Sequence, residues 1–458
     1  MNWGCAVVLA FGLVGGLPTH GAGQQADTSR MAPGDPTSDT VALGPRLSLA
    51  AVIARTLAHS PGMAGARGAV RDASAAERVA LGAYLPSLYL NSAAGWSDQT
   101  LASTTAIGAP GVAGASAANT HGAGVAAALD LFTGGRRGSQ RSAAGAFSRA
   151  ADAGMISQQY ATMLTAKVGY FEVLRARELV RVAGESIAQT GLGLAYARDR
   201  EAAGTATRSD VLRAQLALAT ARRQWLAAGD TLGMTGAALG RLVGADGPVD
   251  AEPPATLDPT PLAFGDSALL ALAPTTAPAV VSAAAQASAS AANVRASKAE
   301  YLPTIALGAG YNWANASQVP GALRAGWIVT VSTSFPLFNG FVREATITQA
   351  EAAADFAMAA SADAKRLARA EAQRLIGSLH VAEHDIALAG ESVRLATEDL
   401  RVILARYRAG IATILDVLTS QTALVQAELD LVSARFNYQI TRASLEALLG
   451  RGLSGSEP

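Results

Sequence analysis

From Met358 to Gly450 the chain runs for roughly ninety residues without a proline, and it carries a heptad seam. Leu379, Ile386, Val393, Leu400 and Tyr407 recur every seven residues, and Ala382, Ala389, Ala396 and Ile403 follow three residues after the first four. A spacing of seven keeps one stripe of a helix facing a partner, and alanines in that stripe allow the partner to come close. The pattern stops at Ala409-Gly410 and resumes as Leu415, Leu418, Val425, Leu429, Val432 and Phe436, which predicts a long antiparallel helical hairpin turning near Gly410. Few folds accommodate helices of this length.

The hairpin occurs twice. A shift of 206 residues brings back the seam as Val173, Val180, Ile187 and Leu194. It also lays Gly204–Gln215 (GTATRSDVLRAQ) over Gly410–Gln421 (GIATILDVLTSQ) with seven of twelve residues identical. A register kept without a gap from about residue 132 to 244 is a duplication.

The sequence before each hairpin also repeats. Tyr84-Leu-Pro86 ends an alanine-rich helical stretch, since proline disfavours helical geometry in the residue before it, and Tyr301-Leu-Pro303 does the same in the second copy. The period then drops to two. Strands are predicted at about 87–96 and 123–132 in the first copy, and at 304–313 and 327–335 in the second. Each pair leads through a Leu-Phe-x-Gly motif (Leu131–Gly134, Leu337–Gly340) into a long helix.

The predicted organisation follows. Residues 1–23 read as a secretory leader, with an apolar run from Ala6 to Leu17 too short to span a bilayer. Residues 24–46 read as a disordered arm. The first repeat covers 47–244 with its long hairpin at 135–244, and the second covers 267–450 with its hairpin at 341–450. A connector with five prolines, 245–266, joins them, and 451–458 is a tail.

Strands of nine or ten residues, with one apolar and one small or polar face, have the length that crosses a bilayer when tilted. Four strands cannot close a barrel, and open sheet edges in hydrocarbon leave backbone groups unpaired at several kcal/mol each. The spanning reading therefore requires other copies of the chain. The competing reading is a soluble four-stranded sheet with one wet face.

Bulk properties exclude several classes. The 458 residues carry no net charge, so nothing marks a nucleic-acid partner. The single cysteine, Cys5, allows neither a disulfide framework nor a cysteine metal site, and it precedes the apolar run rather than following it as a lipid-anchor cysteine would. His380-Val-Ala-Glu-His384 spells the H-x-x-E-H pattern of a zinc-peptidase class, but the first copy has Leu174 and Glu178 at the equivalent places, so no metal or other cofactor is expected.

The doubled unit of half-length helix, Tyr-Leu-Pro, β-hairpin, Leu-Phe-x-Gly, long helix, Asp-Val-Leu turn and returning helix resembles the TolC-like outer membrane efflux proteins from Leu47 to Gly450. The resemblance implies an α+β membrane protein: a homotrimer with a twelve-stranded transmembrane barrel in outer-membrane lipid and a periplasmic α-barrel. It implies docking to a periplasmic adaptor fed by an inner-membrane pump or a type I secretion ATPase, with no catalysis. It further implies an aperture gate at the turns, to which Ser209, Asp210, Tyr407 and Asp416 would contribute. Tyr407 would hydrogen-bond Asp210 across helices, and three copies of Asp416 would ring the pore. Ala412 stands where a gate arginine belongs and Thr419 where a second aspartate ring belongs, implying a weaker lock and weaker cation capture. Helix capping by Asp210 and Asp416, and seam packing by Tyr407, are the alternative readings. The rival function is a periplasmic adaptor, which has one long hairpin between compact β-domains.

Overall fold

The computed structural model describes residues 43–101, 114–254, 256–260, 262, 264–315 and 323–453. The leader and all but the last residues of the arm fall outside them. In chain order the elements are β1 (Arg46–Leu47), α1 (Leu49–His59), α2 (Pro61–Gly82), β2 (Ser87–Leu101), β3 (Gly114–Phe132), α3 (Arg136–Ala202) and α4 (Arg208–Val243). The second half comprises β4 (Asp250–Ala251), α5 (Asp266–Thr276), α6 (Pro278–Lys298), β5 (Thr304–Asn315), β6 (Leu323–Ser334), α7 (Val342–Arg408) and α8 (Ile414–Leu449).

The long helices α3 and α7 have 67 residues each, about 100 Å at 1.5 Å per residue. Each returns as a 36-residue helix, α4 or α8. On α7 the heptad seam faces inward: Leu379, Leu400 and Tyr407 are buried and Ile386 and Val393 half-buried. Near the sheet, α6 packs against α3 through a cluster of alanines, Ala289, Ala292 and Ala296 on Ala143, Ala146 and Ala150. Side chains that end at Cβ let the two helix axes approach closely. The alanine-rich composition serves that contact.

Two equivalent cores sit where the repeats thicken. One joins α1, α3 and α4 around Val52, Tyr170, Phe171 and Leu239, and the other joins α5, α7 and α8 around Leu269, Leu379, Tyr438 and Leu445. The end of the arm and the connector both take part in this packing. Residues 43–46, assigned above to the disordered arm, pair with the connector: Gly44 N–H donates to the Pro248 carbonyl at 3.1 Å, and β1 lies parallel to β4. Arg46 holds Asp250 at 3.0 Å. The connector itself is stitched to α8, where the Tyr438 hydroxyl donates to the Thr260 carbonyl at 3.1 Å and Gln439 donates to the Leu257 carbonyl at 3.0 Å. These ties depend on partners about 180 to 200 residues away, which local composition cannot reveal.

All four strands form one antiparallel sheet in the order β2-β3-β5-β6. The pairing places Leu88 opposite Ala127, Leu90 opposite Val125, Val125 opposite Tyr311, and Tyr311 opposite Trp327. Residues paired directly across a ladder share a face, so every predicted apolar stripe lies on the same side of the sheet. The other side carries Ser87, Asn91, Thr304, Gly308, Thr330 and Ser332.

The sheet departs from expectation twice. The strands are longer than nine or ten residues: 15, 19, 12 and 12. The first hairpin extends through sequence rich in small residues, where no alternation marks a strand. A bulge between Asp130 and Phe132 also puts Phe132, rather than Leu131, opposite Ile305. Strands β2 and β6 are the sheet's two edges, each paired on one side only among the described residues.

Tyr-Leu-Pro and Leu-Phe-x-Gly also acquire a physical reason. In each copy the arginine three residues past the motif glycine, Arg137 or Arg343, lies over the ring of the motif tyrosine, Tyr84 at 5.0 Å or Tyr301 at 4.0 Å. The same arginines donate to carbonyls at the strand ends, Arg137 to Leu131 at 3.1 Å and Arg343 to Pro336 at 3.4 Å. Sheet and helix are thereby fixed at the junction.

Candidate functional site

The two hairpin turns are built alike. Gly204 and Gly410 take φ of +71° and +79°, a conformation that glycine reaches without a Cβ clash. After each glycine, two backbone N–H groups return to the carbonyl of an arginine. Thr205 and Ala206 donate to Arg200, and Ile411 and Ala412 donate to Arg406. Then a threonine caps the returning helix. Thr207 accepts from the Asp210 N–H at 3.3 Å while the Asp210 carboxylate accepts from the Thr207 N–H at 2.9 Å, and Thr413 and Asp416 repeat the arrangement at 3.3 and 2.8 Å. The aspartates thus do cap, but from the third helical position; the N-cap residues are the threonines.

These bonds hold both carboxylates below the usual aspartate range. For Asp210 the main cause is the Thr207 backbone N–H, aided by the Thr207 hydroxyl, Arg213 and Arg200. For Asp416 it is the Thr413 backbone N–H, aided by the Thr413 hydroxyl and Arg406. A depressed carboxylate stabilises the fold above its unfolded pKa of about 4, and that contribution disappears as pH falls through the lower folded value. Amide protection in the first turns of α4 and α8 is therefore expected to stay level from neutral pH down to about 4 and to fall below it. Thr207→Ala should weaken the first turn of α4 by about 1 kcal/mol, read as faster hydrogen exchange there with α8 unchanged.

The turns meet in a common apolar cluster of Leu194, Ala197, Val211, Ala214, Tyr407, Ala412, Ile414 and Val417. Tyr407 is 1 % exposed, with its ring deep in that cluster. Its expected hydrogen bond to Asp210 is not made within the chain. Among the described residues the Tyr407 hydroxyl has no hydrogen-bond partner, and the Asp210 carboxylate is taken up by Thr207. Burial pushes the Tyr407 hydroxyl above its ordinary pKa, the charge of Arg200 opposes this, and the charge of Asp210 adds to it. Ser209 and Asp416 are exposed and Asp210 half-buried. Thr419 is exposed as well, whereas Ala412 is buried.

The residue that joins the turns is Arg200. Its guanidinium donates to the Tyr407 carbonyl at 2.9 Å, to the Ala412 carbonyl at 3.4 Å and to the Thr205 carbonyl at 3.0 Å. It also lies over the Tyr407 ring at 4.5 Å. An arginine from the first repeat therefore grips the turn of the second, and reaches the carbonyl of Ala412, the position that lacks the expected arginine. Arg408 over the Tyr196 ring at 4.0 Å makes a reciprocal contact. Sequence reasoning passed over Arg200, although a signal was present. An arginine four residues before the turn glycine recurs as Arg406.

Away from the turns, His380 faces Asp266 at 3.7 Å, and among the described residues no group of three or more His, Cys, Asp or Glu side chains is placed to hold a metal.

Comparisons with known proteins agree with this architecture. The chain is 31% identical over 416 residues to Protein CyaE of Bordetella pertussis, covering 87% of this chain and 81% of that one. Its fold is similar to that of the outer membrane protein VceC of Vibrio cholerae, with a TM-score of 0.74 at 20% identity, covering 89% of this chain and 97% of that one. It is also similar to the CmeC outer membrane channel of Campylobacter jejuni, with a TM-score of 0.76 at 15% identity, covering 90% and 87%. The profile of the outer membrane efflux protein family matches residues 52–245 and 269–451, both repeats nearly end to end, and the chain belongs to that family.

Proposed function

We propose that this chain is a passive exit duct of a tripartite efflux or type I secretion system. Three copies would join their sheets edge to edge as a twelve-stranded barrel through the outer membrane, with the long hairpins forming a tube in the periplasm. A periplasmic adaptor would dock at the turn end and couple the tube to an inner-membrane pump or secretion ATPase. The cargo, small molecules or an unfolded protein, would pass through without chemistry. Proteins of this family are channels rather than enzymes.

The observation that carries this reading is the sheet itself: one face apolar across all four strands, the opposite face small or polar apart from Tyr89 and Ile328, and an edge at either end. Closing those edges against further copies satisfies every backbone group in lipid. A second observation supports the trimer. Val381, Leu388, Leu395 and Val402 form another heptad stripe on α7, exposed by 39 to 67 %, as a helix awaiting a neighbour would carry.

At the turn end, Ser209, Asp210, Tyr407 and Asp416 would bound the aperture, with three Asp416 carboxylates adding negative charge. Opening would separate the two turns when the adaptor docks. The test is conductance of the purified protein in planar bilayers. Wild type should insert as a pore of low resting conductance, and Tyr407→Phe combined with Asp210→Ala should raise it. A protein that inserts no pore would sink the duct; an unchanged conductance in the double variant would remove these two residues from the gate.

A further inference from the structure

Across residues 87–96, 122–132, 304–314 and 325–334, the body of the four-stranded sheet, Asp130 is the only charged residue. Asp98 and Arg324 pair only towards the far end, with Ala117 and Ala314. Strands are depleted in aspartate, so packing propensity does not put it there. Pairing fixes its side of the sheet. Leu129 lies opposite Leu307 on the apolar face, and Asp130, opposite Ala306, projects from the polar one. Its neighbours on that face are small: Ala306 pairs onward with Ser332, and Ala128 lies opposite Gly308.

Nothing in the chain neutralises the carboxylate. Asp130 is exposed, and among the described residues it has neither an ion pair nor a hydrogen bond. Arg137 is turned elsewhere, to the Leu131 and Ala83 carbonyls at 3.1 and 3.3 Å and to the Tyr84 ring. The bulge that follows Asp130 is a device that re-aims side chains and ends pairing. A role in building the repeat would be expected in both copies, yet Pro336 stands at the matching position of the second.

We propose that Asp130 sets the ion selectivity of the membrane pore. This rests on the duct reading above, in which the polar face of the sheet lines the lumen of a three-copy barrel. Asp130 lies in the last pairs before α3, so three carboxylates ring the lumen where the barrel meets the helical tube. Unpaired carboxylates on an otherwise uncharged wall concentrate cations and hold anions back. The ring stands one length of α3, about 100 Å, from the turns and is separate from the aperture.

The test uses the full chain carrying Cys5→Ser, Asp130→Cys and, to remove the aperture carboxylate, Asp416→Asn. Reversal potentials are measured in planar bilayers under a potassium chloride gradient. They are taken before and after reaction with a sulfonatoethyl or a trimethylammonioethyl methanethiosulfonate, which return a negative or a positive charge to residue 130. The anionic adduct should restore the cation preference of the Cys5→Ser, Asp416→Asn parent. The cationic adduct should lower the cation-to-anion permeability ratio about threefold or more at roughly 10 mM salt, where screening extends about 30 Å. Near 1 M, with screening over about 3 Å, the two adducts should converge. If both reagents attach, as read by mass, and the reversal potentials coincide at low salt, Asp130 does not govern selectivity. If residue 130 takes up neither reagent, it does not face the water of the lumen, and the assignment is equally overturned. A chain that inserts no pore would sink the duct reading itself, and the selectivity ring with it.

Discussion

Val331→Arg is expected to abolish assembly in the outer membrane, while Thr330→Arg, one residue away, leaves assembly intact. Val331 lies near the middle of the apolar stripe of β6, paired with Leu307, and Thr330 projects from the opposite face, paired with Gly308. If the apolar face meets lipid, an arginine near the bilayer midplane of a barrel costs about 2–4 kcal/mol per copy, and a trimer incurs that cost three times. On the polar face the same side chain enters water and should cost little, with an altered ion selectivity as its trace. Heat-modifiable mobility of the assembled oligomer reads the first effect, and reversal potential in bilayers reads the second. Equal tolerance of both variants would mean that the sheet does not face lipid on the side assigned here.

The paired prediction is possible because the sheet was largely legible in the sequence. Ile305 to Trp313 alternates cleanly, and Trp327 to Phe335 does so with Ile328 as the exception, so their faces could be assigned before any partner was known. What alternation cannot supply is which strand lies beside which. That β3 pairs with β5, joining the two repeats in one sheet, depends on contacts nearly two hundred residues apart. The long helices were legible for a related reason. A heptad seam is a local signal repeated often enough to be unmistakable, and the duplication provided a second reading of it.

Ends and partners were less accessible. The strands of the first hairpin run past their alternating stretch because backbone pairing needs no particular side chain, and Gly114 to Gly122 offers none that would mark it. The order in residues 43–46 is invisible to local composition because their partners, Pro248 and Asp250, lie in the connector, which Tyr438 and Gln439 of α8 hold in turn. At the turns, the family resemblance pointed to Asp210 and Asp416, and both close capping boxes within their own helices. The bond between the repeats belongs to Arg200, whose acceptors are backbone carbonyls, and a carbonyl leaves no mark on a sequence.

That bond sets the size of the gating prediction. Arg200→Ala should raise resting conductance more than the loss of the Tyr407 hydroxyl and the Asp210 carboxylate together. The change removes donors from the Tyr407, Ala412 and Thr205 carbonyls and a cation from the Tyr407 ring. Hydrogen bonds from a charged donor contribute about 1.5–3 kcal/mol each before solvent screening, and a half-exposed cation–π contact adds about 0.5–1 kcal/mol. Water can replace part of this at the freed carbonyls. A net loss of about 2–3 kcal/mol for each protomer would then shift its closed-to-open ratio by roughly 30- to 150-fold. Arg200→Lys should recover only part of the closure, because an ammonium is a point charge and cannot fork between carbonyls of two turns. A general loosening of the hairpin could mimic the effect, so Tyr407→Leu is combined with Arg200→Ala in a double-mutant cycle on open probability. If the cation over the ring contributes, the double variant should open little more than Arg200→Ala alone; additive effects would confine Arg200's grip to the backbone carbonyls, whereas a conductance in Arg200→Ala equal to wild type would show that the turns are held shut by something else.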